Sequence, residues 1–502
     1  MVFLVGSLLA RARLAAGRDT TVGSFLEQSA AVRQDHRLVE EADGPTLTQA
    51  EGATRVDAVA GALASQVVNG DRVVVATENT YDQFLGCLAV CRAGGIAVPI
   101  NPHMRPEEVD HVIADAAAAV VLRDLADLDP APPLGHSLAR DASATAMLFY
   151  TSGTTGKPKG VALSHQGLLG SLTAGALWPG LGRDDEAVVS LPIAHIMGFI
   201  TLLGMAAAGI PVWFLPRFRA PTVLDAIEER RASVFVGVPA MYRMLEEAGA
   251  AERDLTSVRI WVSGADAMPG ELARRFKGYG ATATLPLVGP VGEAGFVEGY
   301  GMVELGGGVA TKISPPLLGL GLGDSLGLPM PGYRFQVTGE DGRPVGAGQE
   351  GELWVRGPGR LEGYWGSPEA TSELVTEDGW VRTGDLARRG AFGTAVFAGR
   401  KKDVILNGGY TVYAREVEAA LEEHPDVAEA GVVGAPDDAR GEVPVAVVRL
   451  VAGATITGAD LVAWVGERLA DYKAPRRIVI VDDLPKTGTQ KVRRQELLAL
   501  FG

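Results

Sequence analysis

Cysteine is scarce in this chain of 502 residues, which contains Cys87 and Cys91 and no others. The two stand four positions apart on one face of a predicted helix, where a disulfide would be strained, and the neighbouring sequence offers no further ligands for zinc. The sequence therefore predicts two buried thiols and excludes a disulfide-stabilised secreted scaffold. We expect a cytoplasmic protein.

Long apolar runs are also lacking, since none reaches the roughly 18 to 20 residues needed to cross a bilayer. The apolar start, residues 1–10, has no initial basic region and runs into Arg11 and Arg13, which argues against a signal peptide. Weak peripheral membrane contact through this N-terminus stays open. Lysine and arginine (46) are outnumbered by aspartate and glutamate (61), and this acidity argues against a nucleic-acid partner.

The chain is longer than one hydrophobic core usually serves, so two or more domains are expected. From Asp71 to about residue 326, short apolar runs alternate with helical patterns, which predicts an α/β body of doubly wound sheets. Glycine-punctuated strands over about 327–399 predict a small β subdomain that completes an N-terminal domain, 1–399. A hinge at 400–403 and an α+β C-terminal domain over 404–502 follow.

The most informative segment, residues 150–161, reads Tyr-Thr-Ser-Gly-Thr-Thr-Gly-Lys-Pro-Lys-Gly-Val and follows a predicted buried strand. Its glycines allow close backbone approach, and its hydroxyls and lysines supply donors and positive charge for polyphosphate. A P-loop kinase or ATPase is disfavoured, because that motif needs Ser or Thr where Pro158 stands. The predicted phosphate contacts are Thr151, Ser152, Gly153, Thr154, Thr155, Gly156 and Lys159.

This loop resembles the signature loop of the adenylate-forming superfamily, which includes acyl-CoA synthetases, firefly luciferase and peptide-synthetase adenylation domains. The resemblance covers nearly the whole chain and is weakest over about the first 70 residues. It implies that a carboxylate attacks the α-phosphate of ATP to give an acyl-adenylate and pyrophosphate, and that a thiol then takes the acyl group. The implied cofactors are ATP, Mg²⁺ and coenzyme A.

Two further segments resemble the superfamily's adenine-binding motifs. The first reads Ser-Gly-Ala-Asp after a predicted strand, and the second reads Tyr-Gly-Met-Val-Glu. In the second motif the ring stacks on adenine and the acid holds magnesium, so the resemblance implies these roles for Tyr300 and Glu304. The other implied ATP contacts are Gly264, Ala265, Asp266, Gly301 and Met302.

The resemblance assigns the remaining polar roles to the second half of the chain. Asp385 can accept both ribose hydroxyls, and the planar fork of Arg400 can reinforce that grip. Lys402 is the implied pivot of a mobile C-terminal domain, and Gly409 lies in a turn that meets the pantetheine arm of CoA. Lys491, in a segment that resembles the terminal L-P-K-T-x-x-G-K motif, is the implied catalytic lysine and acts by placing charge.

The segment 191–198, Leu-Pro-Ile-Ala-His-Ile-Met-Gly, resembles the motif whose histidine lines the acyl pocket. It implies that His195 stands beside the reacting carboxylate and joins Lys491 and Glu304 in the catalytic set. Phe199, Val236 and Gly306 are the other predicted pocket residues. Amino-acid-activating relatives carry an aspartate in this region, and none stands here. We therefore predict an acid:CoA ligase for an apolar acid, most simply fatty, with aryl and alicyclic acids also open.

Three positions depart from the family pattern: Val303, Ala414 and Gln490 replace threonine, proline and glycine. Val303 and Gln490 keep open the alternative of a catalytically impaired nucleotide-binding homologue. A separate alternative is an enzyme that loads the acyl group onto a phosphopantetheinyl carrier protein. The identity of the acid and the oligomeric state are not predicted by the sequence.

Overall fold

The computed structural model describes residues 20–139, 141–151, 158–170, 172, 185–285, 287–316, 325–486 and 492–501. The helices are α1 (Val22–Arg33), α2 (Gln49–Leu63), α3 (Tyr81–Arg92), α4 (Pro106–Asp115), α5 (His165–Leu169), α6 (Ile196–Ala208), α7 (Ala220–Arg230), α8 (Pro239–Glu247), α9 (Gly270–Tyr279), α10 (Pro368–Leu374), α11 (Ala414–Glu422), α12 (Gly458–Gly466) and α13 (Arg494–Leu497). The predicted α/β class is confirmed, because these helices alternate with largely parallel strands in the first half of the chain.

The strands are β1 (Arg37–Glu41), β2 (Thr46–Thr48), β3 (Arg72–Val75), β4 (Ile96–Pro99), β5 (Val120–Leu122), β6 (Thr145–Thr151), β7 (Lys159–Ser164), β8 (Ala187–Val189), β9 (Val212–Phe214), β10 (Val234–Gly237), β11 (Ile260–Gly264), β12 (Ala283–Leu285), β13 (Gly289–Val291), β14 (Gly295–Met302), β15 (Gly307–Ser314), β16 (Leu328–Pro329), β17 (Arg334–Thr338), β18 (Glu350–Arg356), β19 (Gly363–Tyr364), β20 (Val381–Arg389), β21 (Ala395–Arg400), β22 (Val404–Asn407), β23 (Tyr410–Tyr413), β24 (Val427–Asp437), β25 (Gly441–Leu450) and β26 (Ile478–Val481). The predicted strand Ile478–Val481 has the same bounds as β26.

A nine-stranded sheet forms the larger half of the N-terminal body, in the order β16-β15-β14-β11-β10-β8-β9-β1-β2. The strands from β14 to β1 are parallel neighbours, and β10 is buried at every position. A strand covered on both faces must be apolar throughout, which explains the short continuous runs in the sequence. The carboxyl ends of these strands meet at one edge, where ligands of α/β proteins bind.

A six-stranded sheet in the order β19-β7-β6-β4-β3-β5 holds the stems of the signature loop. The strand before the loop, β6, pairs antiparallel with β7, and Tyr150 stands opposite Gly160. The segment thus joins the two strands of a hairpin, and it does not run into a helix as the phosphate loop of a P-loop protein does. Its anion-binding capacity must therefore come from its own donors and from neighbouring side chains.

Three further sheets lie in the described part of the chain, and the smallest of them is the antiparallel pair β12-β13. An antiparallel sheet, β17-β18-β20-β21, occupies the predicted β subdomain, and a five-stranded sheet of β22 to β26 lies in the predicted C-terminal domain. Residues of this last sheet and of α11 and α12 form a hydrophobic cluster separate from the main core. The domain boundary at 400–403 stays a prediction.

Ion pairs join the C-terminal sheet and its helix to α8 of the N-terminal body. Arg243 lies 2.9 Å from Glu422, and Arg449 lies 2.7 Å from Glu247. Glu247 is exposed, so its pair with Arg449 is weak, whereas the Arg243 and Glu422 side chains are largely buried, and separating them would leave a buried charge unpaired.

The cysteines lie on α3, where both are buried and not joined in a disulfide. Burial raises the pKa of Cys91 to about 12, so the thiol stays protonated and unreactive. No helix in the described part of the chain is long and apolar enough to cross a membrane. The N-terminal segment considered for peripheral membrane contact lies outside the described residues.

His165 makes folding sensitive to acid. Its Nδ1 accepts a hydrogen bond of 3.2 Å from the backbone N–H of Val22, and burial lowers its pKa to about 4. The unfolded chain takes up this proton near pH 6.5, so the stabilisation is complete above that pH and is lost as the pH falls towards 4. Between these two pH values the free energy of unfolding falls by about 1.4 kcal/mol per pH unit, or by about 3 kcal/mol in all.

We expect His165→Asn, which keeps an acceptor, to lose less thermal stability between pH 7 and pH 4.5 than the wild type does. The measurement is Tm against pH, with exposed His136→Asn as the matched control. Parallel curves for wild type and His165→Asn would contradict this assignment.

Candidate active site

The predicted ribose site is a compact group of three side chains. The Tyr300 hydroxyl, at the end of β14, donates a 2.5 Å hydrogen bond to Asp385 Oδ2. The Nε of Arg400, on β21, lies 2.8 Å from Asp385 Oδ1. Burial and the Asp385 carboxylate raise the pKa of Tyr300, so the phenol keeps its proton and donates. A carboxylate oxygen can accept more than one hydrogen bond, so the Asp385 carboxylate is suited as an acceptor for ribose hydroxyls.

The predicted metal ligand and the signature loop meet at Tyr364. The hydroxyl of Tyr364, on β19, donates a 2.9 Å hydrogen bond to Glu304 Oε1, and Lys159 Nζ lies 5.4 Å from the centre of the same ring. Burial and the neighbouring Glu304 raise the pKa of Tyr364, so it too remains a donor. A buried acid and the lysine of the phosphate loop thus flank one aromatic ring.

The predicted adenine turn follows β11. Ala265 has φ of +66°. This left-handed conformation is energetically unfavourable for a residue with a Cβ atom, and such residues are common at ligand sites. Asp266 is exposed, and its Oδ1 accepts a hydrogen bond from the next backbone N–H, that of Ala267. Gly264 lies against Met197, whose Cε would be 3.4 Å from a methyl group at that glycine. The turn therefore stands beside the first turn of α6.

His195 is the N-cap residue of α6. Its Nδ1 accepts a 3.3 Å hydrogen bond from the backbone N–H of Met197, so the neutral ring carries its proton on Nε2. The side chain is half-buried at the carboxyl edge of the sheet. A donor at Nε2 suits a substrate carboxylate, and the capping bond keeps the ring oriented.

Two predicted pocket residues lie deeper than the others. The ring of Phe199 is fully buried between Phe84 and Phe149, with ring centres 5.3 and 5.8 Å away. Val236 is buried in the middle of the large sheet, on β10. Both are core positions in this structure, and their contact with an acyl group stays a prediction. Gly306 has φ of +73° and packs against the backbone of Gly359, so a side chain there would clash.

The residues of the predicted hinge and of the predicted CoA turn are at the surface. Lys402 is exposed in a short turn between β21 and β22, and Gly409 is exposed with φ of +85°. Thr151 is the last residue of β6, and Gly301 and Met302 are the last two residues of β14. The other predicted site residues lie outside the described residues: Ser152, Gly153, Thr154, Thr155, Gly156 and Lys491, together with the departure Gln490.

The site fits a magnesium ion brought in with nucleotide. In the described part of the chain no group of three or more His, Cys, Asp or Glu side chains gathers as a metal site. Glu304 would therefore be a single protein ligand, which suits Mg²⁺, since this ion usually takes one or two carboxylates and completes its shell with phosphates and water.

Sequence reasoning missed Tyr364 and Met197. Tyr364 lies in a Gly-Tyr-Trp-Gly segment with no chemical motif of its own, and Met197 was treated only as part of the histidine motif. The aromatic residues beside glycines at 363–366 were the available signal.

Comparison with known proteins places these features in a family. The chain matches the AMP-binding enzyme family over residues 26–365 and the AMP-binding enzyme C-terminal domain over residues 416–491. It is 33% identical to a feruloyl-CoA synthase of Amycolatopsis sp over 97% of this chain and 100% of that protein. It is 32% identical to an indoleacetate–CoA ligase of Aromatoleum aromaticum over 90% of this chain and 93% of that protein.

A solved structure agrees with this. ATP-bound MatB from Rhodopseudomonas palustris superposes with a TM-score of 0.84 at 29% identity, and covers 95% of this chain and 98% of its own. The protein belongs to the AMP-binding enzyme family, within the adenylate-forming superfamily. The prediction of an AMP-forming acid–CoA ligase is confirmed at the level of reaction class.

Proposed function

We propose that this ligase activates an apolar carboxylic acid with a compact aromatic tail, such as an arylacrylic or arylacetic acid, and transfers the acyl group to CoA. The observation that carries the proposal is a wall of half-buried apolar side chains beside the adenine turn. Its members are Met197, Ile200, Met302 and Met330.

The glycines of β11 and β15 bring this wall together. Met197 lies against Gly264, Ile200 against Gly307, and Met330 Sδ would be 3.8 Å from a methyl group at Gly308. Met302 stands opposite Gly307 in the β14–β15 pair. The wall thus connects the end of β14, where Tyr300 reaches Asp385, to the first two turns of α6.

The chemistry of the wall favours an aromatic tail. Three thioethers offer polarisable contacts to a ring, and they adapt to its shape. A methyl group at Gly307 would overlap Ile200 Cδ1, so α6 and β15 are in direct contact there. We infer that a compact ring on a short linker fits beside this contact more readily than a long alkyl chain does. The feruloyl and indoleacetate ligases that this chain resembles are named for acids of this kind.

The wall also disfavours a charged tail. All four of its side chains are apolar, so a second carboxylate or an α-ammonium group would be buried there without a partner. This supports the prediction that amino acids are not substrates.

In the proposed reaction the enzyme acts by position and charge. Asp385 and Arg400 hold the ribose, Lys159 and the hydroxyls of its loop hold the phosphates, and Glu304 holds Mg²⁺, which when bound neutralises phosphate charge. His195 orients the acid, and Lys491 stabilises the charge that develops between the carboxylate and the α-phosphate.

The test is a pyrophosphate-release assay with a matched panel of acids. We expect kcat/KM for cinnamate-type and arylacetic acids to exceed that for a dicarboxylate or an amino acid by at least about tenfold, because the latter bury an unpaired polar group. Decanoate and hexadecanoate complete the panel. Preference for the long alkyl acids would refute the aromatic tail, and preference for the charged acids would refute the apolar pocket.

The thiol acceptor is tested in the same assay by offering CoA and a holo-carrier protein side by side with labelled acid. Label on CoA supports the proposal, and label on the carrier alone supports the carrier-loading alternative. ATP binding without release of pyrophosphate for any acid would indicate the impaired homologue.

A further inference from the structure

Helix α4 touches both stems of the signature hairpin. The Nε2 of His111 lies 2.9 Å from the carbonyl oxygen of Pro158, the residue before β7. One helical turn later, Asp115 Oδ2 accepts a 2.8 Å hydrogen bond from the hydroxyl of Tyr150 on β6. Side chains four positions apart share a helix face, so one face of α4 contacts the strand that enters the loop and the strand that leaves it.

The direction of both hydrogen bonds is determined by the partners. A carbonyl oxygen accepts only, so His111 presents an N–H at Nε2. Tyr150 donates to Asp115, because burial and that carboxylate raise the pKa of the phenol. The Tyr150 ring also covers Gly160 on the facing strand, where an added methyl group would lie 3.0 Å from the ring. The two stems are therefore connected to each other and to α4.

The opposite side of the hairpin is held by β19. The backbone N–H of Trp365 donates a 2.7 Å hydrogen bond to Gly160 O, and Lys159 Nζ lies over the ring of Tyr364. Tyr364 is bonded in turn to Glu304. The hairpin stems are thus enclosed between α4 and β19, and the position of Lys159 relative to Glu304 depends on both contacts.

We propose that His111 and Asp115 are positioning residues for nucleotide binding: through Pro158 and Tyr150 they hold the neighbouring Lys159 and Thr151 where the ATP phosphates bind. This inference rests on the proposed function, which assigns Lys159 and Thr151 to phosphate. Neither His111 nor Asp115 touches the nucleotide in this proposal, so their effect is on ATP affinity.

The experiment compares four full-length variants with the wild type by steady-state kinetics with ATP varied. His111→Ala removes the donor to Pro158. It is expected to raise KM for ATP about tenfold, which is the change expected from the loss of one hydrogen bond, and to leave kcat within about twofold of wild type. His111→Gln keeps an N–H at similar reach and is expected to recover most of the wild-type KM.

His103→Ala is the matched control. This exposed histidine precedes the same helix and lies 2.9 Å from Glu78. It should leave KM for ATP unchanged. The KM values for the acid and for CoA serve as internal references, because a general loss of structure would move them together with that for ATP.

Tyr150→Phe keeps the test decisive should His111→Ala fail to fold, since it removes the contact with Asp115 and leaves the ring in place. It is expected to raise KM for ATP severalfold. An active His111→Ala or Tyr150→Phe enzyme with wild-type KM for ATP would overturn this inference and leave the proposed function standing. A wild-type enzyme that makes no use of ATP would overturn both.

Discussion

Replacing Lys491 by alanine is expected to slow acid-dependent pyrophosphate exchange by about 10²- to 10³-fold, because one electrostatic contact to the transition state is lost. The resemblance assigns this lysine to the point where the carboxylate oxygen meets the α-phosphate. There it would offset the negative charge of both reactants, and alanine offers neither charge nor a donor. The KM values for ATP and acid should change far less, since the contact is strongest in the transition state.

The two half-reactions separate this role from a general defect. Transfer of the acyl group from a supplied acyl-adenylate to CoA should continue in Lys491→Ala at a rate close to wild type, because that step forms no bond to phosphorus. Lys486→Ala is the control: Lys486 stands in the same segment, but its Nζ is paired with Glu429 at 2.8 Å and Asp483 at 3.2 Å. Wild-type exchange in Lys491→Ala would refute the catalytic assignment.

Glu304→Gln is expected to lower pyrophosphate exchange by about 10²-fold or more and to raise the Mg²⁺ concentration that gives half-maximal rate. The substitution is nearly isosteric, and the amide oxygen of glutamine can still accept the hydrogen bond from Tyr364. It therefore removes the charge while it preserves the local packing. The measurement is exchange rate against Mg²⁺ at saturating ATP and acid.

Tyr364→Phe provides the complementary variant, because it removes the hydrogen bond to Glu304 and keeps the carboxylate. For this variant we expect the rate of pyrophosphate exchange to fall by a few fold and the Mg²⁺ requirement to stay unchanged. If Glu304→Gln and Tyr364→Phe gave the same modest loss, the carboxylate would be a structural acceptor for the tyrosine, and the metal role would be wrong.

Elements with strong local patterns were predicted well. The run at 73–76 corresponds to β3, and that at 233–238 to β10, because a strand buried on both faces must be apolar wherever it occurs. The helix predicted at 415–423 is α11, shifted by one residue at each end. Helix ends depend on capping, which periodicity does not encode.

Site residues were predicted as separate motifs, and their partners were not. No spacing in the sequence relates Tyr364 to Glu304 or His111 to Pro158, since each pair joins different elements. For Phe199 the motif was recognised, but the position of the side chain differs from the prediction. Its motif places it near the acid, whereas its ring lies in the core between Phe84 and Phe149, because the inward face of α6 must be covered by the neighbouring elements.

By itself the sequence determined which residue types are present and in which local context: a glycine- and hydroxyl-rich loop after a buried strand, a tyrosine and an acid at a strand end, and alternating apolar runs that form parallel sheets. Only the tertiary structure decided that β19 brings Tyr364 between Lys159 and Glu304, and that α4 reaches both stems of the loop hairpin. The physical reason is that local patterns record the burial of each residue, whereas the contacts between distant segments follow from how sheets and helices pack together.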